Sequence, residues 1–74
     1  MSVQIVMDRS GDTRHEFDVS DLTSVANAEA RFRQLTGIGF RAVALDKNGG
    51  PGELIDKFDP SVGQTLFIPQ LKGG

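Results

Sequence analysis

The apolar spacing of this chain changes period twice, and few folds accept the order in which it does so. In SVQIVMD, residues 2–8, every second residue is apolar, with Val3, Ile5 and Met7 on one face. That is the period of a half-buried strand. TRHEFDV, residues 13–19, alternates in the same way, with Phe17 and Val19 on one face and Arg14, Glu16 and Asp18 on the other. RSGD lies between them, and a Ser-Gly pair flanked by charged residues is turn chemistry. The spacing therefore predicts a hairpin over about residues 2–19.

The period then becomes helical. In SDLTSVANAEARFRQLTG, Val25, Ala28, Phe32 and Leu35 form a single stripe at i, i+3, i+7 and i+10. Ser20, Asp21, Thr23 and Ser24 can each cap the start, because their side-chain oxygens accept from unpaired first-turn N–H groups. Glu29 and Arg33 are spaced to pair, and Gly37 sits where a left-handed terminating residue is wanted. A helix over about 23–36 is expected, with one narrow face to bury.

After the helix the strand pattern returns. GFRAVALD predicts a strand over about 39–45, KNGGPG is too rich in Gly and Pro for regular structure, and ELI at 53–55 forms a short strand or a turn. QTLFIP closes the series as a strand over about 64–69, and Pro69 ends it because it has no N–H for a ladder. Strand, strand, helix, strand, short element, strand is an α+β layout. If the last strand pairs beside the first, the sheet is mixed, four- to five-stranded, with one helix packed across one face. That arrangement is the β-grasp fold.

Size and charge narrow the function. Seventy-four residues make one small domain. A chain of this length buries only roughly 60% of its unfolded surface, which leaves no room for a deep substrate cleft. Without Cys there is no disulfide, thiolate metal site or catalytic thiol, which fits a reducing compartment. The net charge is −2, and the eight basic residues form no cluster that would track a phosphate backbone, so no nucleic-acid partner is expected. No apolar run approaches the about 20 residues of a membrane span. MSVQIVMDRS lacks the basic lead and apolar core of a secretory signal. A cytoplasmic protein without membrane contact is expected.

Single residues add little chemistry. His15 alternates in phase with Phe17 and has no Cys or Ser partner, so it reads as a partly buried strand residue. Asp8, Asp12, Asp56 and Asp59 lack the spacing of a calcium loop and read as solvated turn residues. NGGPG lacks the strand–loop–helix context and the Lys-Ser/Thr of a phosphate loop. No metal, cofactor or catalytic residue is expected, and the chain does not read as an enzyme.

The last ten residues, TLFIPQLKGG, are the most specific stretch. With the preceding order of elements they give the chain a likeness to ubiquitin and its relatives over nearly its whole length. Thr65-Leu66-Phe67-Ile68 stands for the family's terminal strand, and Leu71-Lys72-Gly73-Gly74 for its tail. The tail is about one residue shorter than ubiquitin's and holds one basic residue, Lys72, where ubiquitin has two arginines. Pro69 and Gln70 also depart from the family's choices. Only Lys47, Lys57 and Lys72 are available for chain linkage. In these respects the chain is similar to the divergent modifiers of bacterial ubiquitination-like operons.

The resemblance implies a globular domain over 1–69 and a flexible tail over 70–74. It implies an activating enzyme that uses ATP to adenylate the carboxylate of Gly74. A conjugating enzyme then carries the thioester, protein targets receive the chain through an isopeptide bond, and a peptidase removes it. Gly73 and Gly74 suit that task because glycine allows close backbone approach in a narrow site. Leu71 and Lys72 are the expected recognition residues, and residues 70–74 can extend about 17 Å at roughly 3.4 Å each. A sulfur carrier bearing a C-terminal thiocarboxylate uses the same ending, and a non-covalent interaction module uses the fold without it. In the family the helix-free sheet face is the usual partner surface. Alternation leaves two parities for the last strand: Phe67, with Val43 or Val6, on that face, or Phe67 in the core. The first makes Phe67, Val43 and Val6 the candidate partner surface.

Overall fold

The first hairpin closes where Asp8 pairs with Gly11, leaving Arg9 and Ser10 as the loop. Gly11 has φ +126°, a backbone conformation that a Cβ disfavours. Asp8 braces the loop by accepting from the Ser10 N–H at 2.8 Å and its hydroxyl at 2.6 Å. This computed structural model describes residues 1–45 and 52–69. Its elements are β1 (Ser2–Asp8), β2 (Gly11–Phe17), α1 (Leu22–Gly37), β3 (Phe40–Leu45), β4 (Glu53–Ile55) and β5 (Gln64–Pro69).

Asp21 is the residue that caps the helix, accepting from the Thr23 and Ser24 N–H groups in extended backbone geometry. The far end corrects an expectation. Gly37 is the last helical residue, and the left-handed position is Gly39, at φ +107°. Ile38 sits between them and donates its N–H to the Gln34 and Leu35 carbonyls, both at 3.2 Å. The glycine is needed two residues later, where the backbone reverses directly ahead of Phe40. The predicted stripe holds: Ala28 and Phe32 are buried, while Val25 and Leu35 are half-buried. The expected Glu29–Arg33 pair forms at 3.6 Å on the exposed side.

The five strands form one mixed sheet in the order β2-β1-β5-β3-β4, with α1 packed across one face. β1 and β5 run parallel side by side, and every other pairing is antiparallel. This is an α+β fold of the β-grasp type. The core lies between α1 and the sheet and consists of Val6, Phe32, Ala42 and Phe67, with Leu35, Phe40, Ile55 and Phe58 packed around them. Phe32 meets Phe67 edge-on at a centroid distance of 5.7 Å and Phe58 at 6.0 Å, and Phe58 reaches Phe17 at 5.9 Å. All five phenylalanines of the chain thus gather on the helix side. Aromatic rings suit that layer because they span the helix–sheet gap and bury a large area each.

The parity of β1 is opposite to what its apolar residues suggest. Val3, Ile5 and Met7 do share a face, but the face is the one without the helix. Ser2, Gln4 and Val6 point toward α1, as the hydrogen bond from Gln4 to the helix shows. Gln4 is 0% exposed. Its Nε2 donates to the Ala28 carbonyl at 3.0 Å and its Oε1 accepts from Arg31 Nη1 at 2.9 Å. Both ends of the amide are therefore satisfied, and burial without partners is the condition that would make it costly. No helix among the described residues is long and apolar enough to cross a membrane.

Candidate functional site

Strand alternation divides the candidate residues between two faces. Phe67 is 0% exposed and packs on Phe32, and Val6 lies beside it in the same core. This corrects the expectation that Phe67 and Val6 form a partner surface. Phe67 pairs across β5 with Val6 on one side and Ala42 on the other, so all three share the helix face. Burying its ring there contributes roughly 1.5–3 kcal/mol, which no exposed position could return. Val43, the third candidate, does lie on the helix-free face.

That face is built from residues in register. Arg14 of β2 stands opposite Ile5 of β1, Ile5 opposite Leu66 of β5, Leu66 opposite Val43 of β3, and Val43 opposite Leu54 of β4. One aliphatic row thus crosses four of the five strands, with Arg14 of β2 at its end. Val3 and Met7 of β1 flank it, and Ile68 lies beside it next to Arg41. Exposure rises along the row: Ile5 is 9% exposed, Val43 and Leu66 are half-buried, and Leu54 is 59% exposed. Glycine is required at one point here. A Cβ on Gly52 would stand 2.4 Å from Val43 Cγ1, so only a residue without a side chain lets the backbone enter β4 this close to Val43. The charged rim consists of Asp12, Arg14 and Glu16 on β2 and Arg41 on β3.

The same sheet sets where the tail begins. β5 is the central strand, and its last residue, Pro69, pairs with Phe40. The chain therefore leaves the sheet at the end that also holds the β1–β2 loop and the α1–β3 connection. Met7 and Ile38, both exposed apolar residues, lie at that end. The tail candidates Leu71, Lys72, Gly73 and Gly74 lie outside the described residues, as does most of the KNGGPG loop.

Of the acids read as turn residues, Asp8 and Asp59 brace turns, whereas Asp12 lies within β2 opposite Met7; Asp18, expected on the strand, follows its end and braces a turn as well. Asp8, Asp18 and Asp59 each accept from the N–H and the hydroxyl of the serine two positions on. Those serine hydroxyls and N–H groups hold all three carboxyls below the usual value of 3.8. Among the described residues no three acidic or histidine side chains converge as a metal site would require. A surface depression of about 510 Å³ beside β3 and β4 is lined by Thr36, Phe40, Arg41, Leu54, Ile55 and Asp56.

His15 is half-buried on the helix side of β2, opposite Gln4. Burial, and then the neighbouring charge of Arg31, push its pKa below 6.5. Sequence reading missed the Gln4–Arg31 contact and the contributions of Ile5, Leu66 and Leu54. The available clue was Phe32 at the centre of the helix stripe, since a ring there needs an equally long partner across the gap. No protein-family model matches this sequence, and no curated protein or solved structure is significantly similar to it.

Proposed function

We propose that this chain is a ubiquitin-like protein modifier. An activating enzyme adenylates the carboxylate of Gly74 with ATP, a thiol of a conjugating enzyme takes the acyl group, and an amine of a target protein receives it. A peptidase reverses the linkage. One observation carries the reading: a β-grasp body whose central strand ends at Pro69, with Gln70-Leu71-Lys72-Gly73-Gly74 following in the sequence. In this reading the body is chemically idle. It supplies the helix-free aliphatic row as a grip for the activating enzyme, and the tail supplies the reacting group. Leu71 anchors the tail and Lys72 gives it charge. The cytoplasm, the compartment of such ATP-driven conjugation, is the proposed site of action, and a bacterial ubiquitination-like system is the proposed setting.

The test is recovery of an N-terminally tagged chain from its source cells under denaturing conditions. The wild type should yield protein adducts heavier than their targets by the 8.0 kDa of the chain. Deleting Gly73 and Gly74 should abolish them. Free chain whose mass reports sulfur in place of one oxygen, with no adducts, would assign it to sulfur transfer instead. Adducts that survive the deletion would overturn the proposal.

A further inference from the structure

We propose that Arg31 and His15 form a receptor for a single carboxylate carried by a partner protein, on either side of Gln4 where β2 faces α1. The site is preorganised by Gln4. Its buried amide is fixed to the Ala28 carbonyl at 3.0 Å, and its other end accepts from Arg31 Nη1 at 2.9 Å. The guanidinium is thereby held by one of its five N–H donors, and the others remain for a ligand. The β1–β2 register sets His15 directly opposite the same Gln4. The group facing His15 from β1 is thus the neutral Gln4, and from α1 it is Arg31. On its own strand the same-face neighbours are Thr13 and Phe17, both uncharged.

No carboxylate among the described residues pairs with Arg31 or His15. The ion pair formed among them is Arg33 with Glu29. Both residues are half-buried, so they are partly desolvated and still reachable. β2 is an edge strand, with no further strand beside it among the described residues.

The chemistry selects the ligand class. A fixed guanidinium presents a planar fork that fits a carboxylate in two parallel hydrogen bonds. His15 is neutral at pH 7, because burial and Arg31 hold its pKa down, and it can donate one further N–H. One full positive charge beside one neutral donor matches a monoanion better than a phosphate dianion. The site gives one link, so it works as one contact of a wider protein interface. It does not depend on the tail, and a chain lacking Gly73 and Gly74 should bind equally.

The chain has a single histidine, so its ring resonances report the site without ambiguity. The probes are blocked Ala-Asp-Ala, its Ala-Asn-Ala counterpart and inorganic phosphate, each titrated at constant ionic strength. The Asp peptide should shift the His15 ring and the Arg31 side-chain N–H signals and move the His15 midpoint upward, and the Asn peptide should not. Arg31→Gln should lose the response, His15→Gln should weaken the Arg31 shift, and Arg33→Gln should keep both. An equal response to the Asn peptide would overturn the proposal. So would a response that survives Arg31→Gln in a folded variant, or one given by phosphate alone.

Discussion

The two faces of the sheet carry similar numbers of apolar residues and use them differently. The helix face is aromatic, with Phe17, Phe40 and Phe67 facing Phe32 and Phe58, and it also encloses Gln4. The helix-free face is aliphatic, with Ile5, Leu66, Val43 and Leu54 in one register row. Long rings can bridge from a sheet to a helix axis, and short branched side chains cover a sheet without reaching anything beyond it. Apolar content alone therefore does not say which face is the core. Side-chain length and the presence of a partner layer do.

The largest expected effect separates the faces at adjacent positions. Phe67→Ala should cost about 3–5 kcal/mol, because it leaves a cavity under Phe32. In a domain of this size that removes most of the stability. Leu66→Ala, one residue away on the half-buried face, should cost on the order of 1–2 kcal/mol, well below the range for a fully buried leucine. Urea denaturation of both variants measures the difference, and equal losses would mean the parity assigned to β5 is wrong.

The next effect tests Gln4, the most deeply buried polar side chain on the helix face among the described residues. Gln4→Met keeps the length and removes the amide, so the Ala28 carbonyl and Arg31 lose a partner at 3.0 and 2.9 Å. A loss of about 1–3 kcal/mol is expected from the two hydrogen bonds removed, one of them to a charged group. A neutral result would show that Arg31 swings out to water and does not rely on Gln4. Asp21→Ala should cost about 1 kcal/mol by uncapping α1, seen as a lower melting temperature without a change in the sheet.

The smallest effect is on pH. His15 has a folded pKa below its unfolded value, so the unfolded chain binds the proton more readily. Its contribution is therefore fully present above about pH 6.5 and declines as the pH falls through the folded pKa. Stability measured from pH 8 down to pH 5 should show this decline, and His15→Gln should flatten it. An unchanged slope in the variant would remove His15 as the cause.

Much of the fold is legible in the residues themselves. The hairpin, the helix stripe and the end of β5 at Pro69 follow from period, turn chemistry and the missing proline N–H, while residues 53–55 allow a strand or a turn and are a strand. Parity does not. In β5 both faces are apolar, Leu66 and Ile68 against Phe67, so alternation offers no preference. In β1 the more apolar face is the wrong one, because Gln4 becomes a core residue only once Ala28 and Arg31 are in place to satisfy it. That information is tertiary and has no local trace. Gly-Ile-Gly at the end of α1 is similar: two glycines are available, and the direction Phe40 must take selects the second. The row that crosses the helix-free face is likewise a product of strand order, which places β5 between β1 and β3.

The helix face holds the protein together, and in the proposed function the helix-free face is the one the activating enzyme grips. Leu54→Lys tests that division most directly, since Leu54 is 59% exposed and its replacement should change stability by no more than about 0.5 kcal/mol. Adduct yield in cells should drop sharply for this variant while its melting temperature stays near that of the wild type. Undiminished adducts from the folded variant would contradict the assignment of the aliphatic row as the gripping surface.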